Sequence, residues 1–296
     1  TEVMLAAFEE WGVAGAVPRF VGMFAIALWD RRERTLSLVR DRFGIKPLHY
    51  TRQSHGLIFA SELKSLRVVP GFSFVVDRNV LGSFVQKSYV PGVQTIYRSV
   101  FRVPPGHILT VRLDDLSAEL QSQPYWSLPP ISKHTSTRID LPEQICVLDS
   151  LLRDAVSLRL LSDVPVGLFL SGGIDSSLVS AIAQNVSNVS LNTYSIGFDD
   201  KLYDEAAHAK KVAQVLGTNP LEMRLSGRDV LDVVPMLPQV YDEPFGDSCQ
   251  IPTMLLCSLA RRHVTVALSG DGGDEMFAGY DRYFLAQRIW SLRKSL

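Results

Sequence analysis

Cysteine is scarce. Three occur in 296 residues, Cys146, Cys249 and Cys257, and no two form a CxxC pair. Their odd number suits free thiols in a reducing cytoplasm. Neither sign of charge is in excess: 30 Lys and Arg against 31 Asp and Glu leave a net −1. That balance gives no electrostatic reason to expect nucleic acid or a membrane surface as partner. Long apolar runs are missing too. The longest, around "VGMFAIALW", is strand-sized and far short of a bilayer span. There is no internal repeat and no low-complexity tract. The chain opens on the helical pattern "TEVMLAAFEEWG" without an initiator Met or signal peptide, and it stops inside another, "MFAGYDRYFLAQRIWSLRKSL", without a C-cap glycine. It reads as a segment cut at both ends.

What is present is globular. A chain 46% hydrophobic and 21% charged can build one large domain or two typical ones. The first part reads as a helix from Glu2 to Trp11. Closely spaced strand-like segments follow, "GMFAIALWD", "TLSLVRD", "PLHYTRQ" and "LIFASE", which suit an antiparallel sheet layer. A helix around Val80 to Gln86 and the strand "GHILTVRL" come next. "SLPPISKHTSTR", Ser127 to Arg138, is rich in Pro, Ser and Thr and marks a boundary, dividing the chain into domains at residues 1–128 and 141–296.

Beyond the boundary the rhythm changes. A helix from Leu141 to Leu160 precedes "VPVGLFL". Then "LNTYSIGF", "PLEMRLS" and "HVTVALSG" alternate with helical stretches such as "YDEAAHAKKVAQVLG". Strands alternating with helices predict a parallel sheet covered on both faces, an α/β domain.

One stretch is unusual in this setting. "SGGIDSS", Ser171 to Ser177, stands where a strand hands over to a helix. Ligands of doubly wound α/β domains bind beyond the carboxyl ends of strands. Gly172 and Gly173 would let an anion approach the backbone, the helix start supplies N–H groups, and Ser171, Ser176 and Ser177 add hydroxyls. Asp175 makes sense beside phosphate only if a divalent cation bridges the two. The loop lacks the GK[ST] ending of a Walker A motif. The plainer account, a tight turn with Ser and Asp as caps, would serve for a lone pair of glycines but not for the whole stretch.

"SGGIDSS" resembles the pyrophosphate loop of the ATP pyrophosphatase (N-type) enzymes. "YSIGF" (Tyr194 to Phe198), "YDE" (Tyr203 to Glu205), "YDEPFGDS" (Tyr241 to Ser248) and "ALSGDGGDEMFAGYDRY" (Ala267 to Tyr283) narrow the likeness to the glutamine-hydrolysing asparagine synthetases of the B type. In the first half, "GMFAIALWD", "VRDRFGIKPLHY" and "FASELKSL" resemble the later part of a class II glutamine amidotransferase domain of the Ntn type. The fold class implied is a partial antiparallel layer of that domain followed by a parallel-sheet ATP pyrophosphatase domain, incomplete at its C-terminus.

The resemblance implies a carbon–nitrogen ligase that uses aspartate, glutamine and ATP with Mg²⁺, in the cytoplasm, and allows a homodimer. Aspartate would attack the α phosphorus of ATP, and ammonia from glutamine would displace AMP from β-aspartyl-AMP. Ser171, Gly172, Gly173, Ser176 and Ser177 would cradle pyrophosphate. Asp175 and Asp274 would hold Mg²⁺, although Asp274 also suits the first turn of a helix. Phe169, Leu170 and Ile196 would offer backbone groups to adenine, or simply pack in the core. Ser269 and Gly270 would contact the nucleotide.

Asp271 stands where many relatives have glutamate, in "SGEGSDE", and would assist adenylation with a shorter reach. Asp204 reads as a helix cap, Asp242 and Glu243 as weaker candidates, and Arg40, Asp41 and Arg42 as an ion network. The amidotransferase nucleophile of the resembled family is an N-terminal cysteine. Thr1 does not match it, so the 296 residues alone are expected to release no glutamate from glutamine. Two other readings stay open: a related ligase with another acceptor carboxylate, of the β-lactam synthetase or lasso-cyclase kind, and a silent nucleotide-binding regulator.

Overall fold

The computed structural model of the chain describes residues 1–53, 56–115, 120–130, 140–199 and 204–295. Its contacts divide into two compact units, Thr1–Lys133 with Met236–Asp247, and His134–Pro235 with Ser248–Leu296. Part of the Pro/Ser/Thr-rich boundary stretch, residues 131–138, lies outside the described residues. No helix among the described residues is long and apolar enough to cross a membrane.

The first unit opens on helix α1 (Glu2–Ala16), which kinks at Gly12 (φ 66°) and runs past the predicted end at Trp11. Strands β1 (Ala25–Asp30), β2 (Thr35–Arg40), β3 (His49–Gln53) and β4 (Gly56–Ala60) follow, then helix α2 (Arg78–Lys87) and strands β5 (Val100–Arg102), β6 (His107–Arg112) and β7 (Ser122–Pro124). The sequence predicts one antiparallel layer. The strands instead form two antiparallel sheets, β1-β2-β6-β7 and β4-β3-β5. In the larger one, Leu38 and Val39 are neighbours on β2, face opposite ways and are both wholly buried. Leu38 packs with Leu48, Val103, Leu109 and Val111, and Val39 with Val17, Ile108 and the aromatic rings of Phe8, Phe20 and Phe24.

The division into two sheets follows from Asp41. Its buried carboxylate accepts from the N–H groups of Phe24, Phe43, Ile45 and Lys46, which folds the chain after β2 into a turn instead of a hairpin. Arg40 donates to the carbonyls of Gly44, Lys46 and Val103, and Arg42 to that of Pro18. Asp41 also acts on Arg40 through its charge, as an ion network would, but the hydrogen bonds of these three side chains among the described residues are to backbone. Asp242 and Glu243 also belong to this unit, after the single-turn helix that closes it. Asp242 accepts from the N–H of Leu63 (2.6 Å) and pairs with Lys64 (3.6 Å). Glu243 pairs with Arg102 and accepts from the N–H of Ile96. Both carboxylates are used up as structural ties.

The second unit runs α3 (Leu141–Leu160), β8 (Val166–Phe169), α4 (Ile174–Val186), β9 (Asn192–Phe198), α5 (Ala206–Leu216), β10 (Asn219–Leu225) and α6 (Gly227–Val233). The single-turn helix α7 (Leu237–Val240) belongs to the first unit, and then come α8 (Gln250–Ala260), β11 (Val266–Leu268), α9 (Gly273–Phe277) and α10 (Asp281–Ser295). The strands pair in parallel in the order β10-β9-β8-β11. Leu168 packs on α3 and α4 through Val156, Ile182 and Ala183, while Tyr194 packs on α8 through Leu259 and Ala260. Both faces are covered, as the alternation implied. One expectation differs: the C-terminal helical pattern is broken where Ala278 turns left-handed (φ 58°), so α9 and α10 are separate.

The strand order creates a place for a ligand. The chain moves outward from β8 to β9 and β10, then returns to place β11 on β8's other side. The carboxyl ends of β8 and β11 thus border the point where the winding reverses, and ligands of open α/β sheets bind there.

A titration is built into the first unit. His49 on β3 is buried, and its Nδ1 lies 3.0 Å from the carbonyl of Ser61. Burial first, and then the cations of Arg102 and Arg40, lower its pKa from the ordinary 6.5 to about 4. Between those values the unfolded chain binds a proton that the native one refuses, so stability should fall as pH drops from 6.5 towards 4. His49→Asn keeps a donor without the titration. Urea unfolding at about pH 7 and about pH 5 should show wild type losing about 2 kcal/mol more than the variant. Equal losses would show that His49 does not titrate this way.

Candidate functional site

Strand β8 ends at Phe169, and the N–H of Leu170 still donates to the Tyr194 carbonyl at 2.9 Å. The chain then turns through Ser171, Gly172 and Gly173 into α4. Gly172 has φ +86°, where L side chains are strained, and a Cβ there would meet the Ala209 nitrogen and the His208 Cβ at 2.8 Å. The first turn of α5 is therefore a wall of this loop. No motif in the sequence marks His208 or Ala209, because they contribute backbone and bulk.

The three serines of the loop differ. The Oγ atoms of Ser171 and Ser176 lie 2.9 Å apart, and Ser176 Oγ also donates to the Gly173 carbonyl at 3.3 Å. The N–H of Gly173 donates to Ser171 Oγ at 3.3 Å. These two hydroxyls tie the turn together. Ser177 Oγ is buried and has no hydrogen-bond partner among the described residues. No side chain caps α4, whose N-cap is Gly173, so the N–H groups of its first turn are left for a ligand.

A second loop lies against the first. Gly270 packs so closely on α4 that a Cβ would be 2.7 Å from the Ser176 nitrogen and 2.9 Å from the Asp175 carbonyl carbon. Gly273, at the start of α9, faces the Asp175 carboxylate. Between them Asp271 is exposed and accepts from Ser269 Oγ at 2.9 Å. It does not cap α9, since that position is Gly272. Its charge reaches Cys257 on α8, whose thiol is pushed up by burial and then by Asp271. Asp274 sits in the first turn of α9 with its carboxylate against Gly279.

Ser171, Gly172, Gly173, Asp175, Ser176, Ser177, Ser269, Gly270 and Asp271 are thus brought together by two loops at the switch point. Phe169 and Leu170 lead into it but point into the cores, Phe169 towards Tyr194 and Leu170 towards Ala209 and Ala213. The N–H of Leu170 is already committed, which removes that donor from any ligand. Ile196 lies on β9 two residues past its last pairing with β8. Asp204 stands one residue before the N-cap of α5, Glu205, and is therefore not the cap expected of it; it accepts from the N–H of Ala206 at 3.2 Å and pairs with Arg224 at 3.1 Å. A pairing that no sequence motif signals follows α9: Tyr280 Oη donates to Glu275 at 2.7 Å, which pushes the phenol up to about 12.

The donor set fits an anion with a divalent cation. Helix-start N–H groups and an orphaned buried hydroxyl suit phosphate oxygens. No cluster of three or more ligating side chains occurs among the described residues. Two aspartates nonetheless suffice for Mg²⁺, which usually takes one or two carboxylates and completes its shell with phosphate and water.

The family description asparagine synthase matches residues 147–296, and glutamine amidotransferase domain matches residues 1–126. A Methanocaldococcus jannaschii protein named for the glutamine-hydrolyzing asparagine synthetases is 35% identical over 297 residues, covering 99% of this chain and 56% of its own. Asparagine synthetase (glutamine-hydrolyzing) 1 of Bacillus subtilis is 34% identical over 283 residues, covering 96% of this chain and 43% of its own. The chain spans about half the length of the curated relatives it matches. Among solved structures, NMN synthetase from Francisella tularensis superposes with a TM-score of 0.33 at 16% identity over 48% of this chain and 59% of that one.

The serines can be told apart by experiment. Ser177→Ala removes an unpaired buried hydroxyl, so it should raise stability by about 1 kcal/mol and weaken binding of a non-hydrolysable ATP analogue about tenfold. Ser176→Ala should instead lower stability by about 1 kcal/mol. Thermal unfolding and titration calorimetry measure both. A destabilised Ser177→Ala variant with unchanged binding would remove Ser177 from the site.

Proposed function

The chain belongs to the asparagine synthase family, and from that premise we propose that it carries the adenylating part of a glutamine-dependent ligase acting on aspartate. The observation that carries the reading is the contact of two glycine loops at the sheet's switch point, one leading to Asp175 and the other carrying Asp271.

In the proposed reaction an oxygen of aspartate's β-carboxylate attacks the α phosphorus of ATP and the bond to the bridging oxygen breaks. Pyrophosphate leaves with that electron pair. Ammonia from glutamine then attacks the acyl carbon, loses a proton, and expels AMP to give asparagine. Negative charge grows on the pyrophosphate during the first step, so fixed donors there lower the barrier most. The first-turn N–H groups of α4 and the hydroxyl of Ser177 are those donors. Ser171 and Ser176 act indirectly, by holding the turn.

Asp175 and Asp274 are the groups that would hold Mg²⁺. When bound, the cation would neutralise phosphate charge. Asp271, exposed and steadied by Ser269, would act where the new bond to phosphorus forms. Phe169, Leu170 and Ile196 would present backbone to the adenine, Leu170 without its N–H, which is bonded to Tyr194, and Gly270 and Ser269 would lie against the nucleotide. Aspartate, glutamine and ATP are the substrates on this reading, the setting is the cytoplasm, and a homodimer is compatible with it.

Aspartate-dependent release of pyrophosphate from ATP tests the proposal on the intact protein. Asp271→Asn should depress the single-turnover rate about 100-fold with ATP binding little changed, because an interaction made in the transition state lowers the rate constant and not the affinity. Asp271→Glu should stay active. An unimpaired Asn variant would end the catalytic role of Asp271. Pyrophosphate release driven by another carboxylate and not by aspartate would replace the acceptor.

A further inference from the structure

The candidate site holds more glycine than its turns need. Gly172 (φ +86°) and Gly272 (φ +91°) are required by backbone conformation. Gly270 is required by packing, because a Cβ would run into the backbone of Asp175 and Ser176. Gly273 fits neither reason, and at Gly279 the nearest backbone atom a Cβ would meet is the Asp274 Cα, at 3.2 Å and farther than the carboxylate. Neither has a left-handed backbone, and Gly273 sits at a helical position where alanine would ordinarily be the better helix former.

What excludes a side chain at these two positions is in each case an aspartate. A Cβ on Gly273 would fall well inside 3.0 Å of Asp175 Oδ2 and Cγ, and one on Gly279 well inside 3.0 Å of Asp274 Oδ1 and 2.9 Å from its Cγ. Those two carboxylates are the pair assigned to Mg²⁺. We infer that Gly273 and Gly279 are positioning residues, each left without a side chain so that one carboxylate can lie over it at a fixed place. The inference rests on the reading of Asp175 and Asp274 as the Mg²⁺ pair of an adenylating site.

The segment that carries Gly279 is braced against relaxing. Its N–H donates to the Asp274 carbonyl at 3.0 Å, and Ala278 before it is held left-handed. Tyr280 is bonded to Glu275, and the Arg282 guanidinium lies 4.0 Å from the Tyr280 ring centre. With the backbone held, an added methyl would displace the tip of the aspartate, the softer partner. Mg²⁺ demands near-ideal octahedral geometry at about 2.1 Å, so a carboxylate pushed aside stops serving as a ligand. The fold should survive the change.

The test is a double-mutant cycle on the intact protein, with Mn²⁺ as the probe in the presence of a non-hydrolysable ATP analogue. Bound Mn²⁺ is read by paramagnetic resonance, and pyrophosphate release and thermal unfolding are measured alongside. Gly279→Ala should weaken Mn²⁺ retention by about 10- to 100-fold, an effect typical of groups that orient a ligand, and leave the unfolding midpoint nearly unchanged. In an Asp274→Ala background, which removes the displaced group, Gly279→Ala should cost nothing further. Gly273→Ala should couple to Asp175→Ala in the same way.

Normal Mn²⁺ retention in Gly279→Ala, with retention lost in Asp274→Ala, overturns the inference alone. So does a further loss in the double variant. If Gly279→Ala unfolds, the Asp274→Ala background should restore it; a failure to do so assigns Gly279 to backbone packing and overturns the inference. Normal retention in Asp274→Ala itself overturns the reading of the site, and the inference with it.

Discussion

The candidate site depends on one close contact, the loop after β11 lying directly on the first turn of α4. That contact exists because Gly270 has no side chain to hold the two backbones apart. It occurs between adjacent parallel strands, where the winding of the sheet reverses beyond the strand ends. Everything the site offers is arranged around it: the open helix start, the buried hydroxyl of Ser177, and the carboxylates of Asp175 and Asp271. A larger residue at position 270 would hold the loop that carries Asp271 away from the first turn of α4.

Much of this was legible in the sequence. The helix from Leu141 to Leu160 is found at the predicted bounds. The parallel sheet followed from strands that alternate with helices, and the loop after β8 from glycine and serine chemistry at a strand-to-helix junction. These features are written locally, in periodicity and in turn residues. The grouping of the first-half strands into two sheets is not local. It depends on Asp41 drawing in four N–H groups, one of them seventeen residues away. Nor does composition mark a left-handed Ala278, since alanine has no preference for that conformation.

Most of the site residues singled out in the sequence lie on two touching loops, but the sequence could not rank them. Three serines in one loop look equivalent as letters. In the fold two of them hold the turn and one is left unpaired. Asp271 and Asp274 both look like acids at a helix start, yet only Asp274 is in the first turn of α9, while Asp271 leans on Ser269. Asp242 and Glu243, in a stretch that carries the family likeness, are consumed by Leu63, Lys64, Ile96 and Arg102 inside the first unit. Backbone donors of that kind leave no trace in a sequence. The same is true of the carboxylates seated on Gly273 and Gly279, which explain those glycines only once the side chains are placed.

The central claim is chemical: an oxygen of aspartate becomes bonded to the α phosphorus of ATP. Aspartate labelled with oxygen-18 in its β-carboxylate, supplied to the intact protein with glutamine and MgATP, reports on that bond directly. The account predicts AMP carrying one labelled oxygen, pyrophosphate carrying none, and asparagine formed in equal amount to AMP. Unlabelled AMP, or ADP with labelled phosphate, would contradict it.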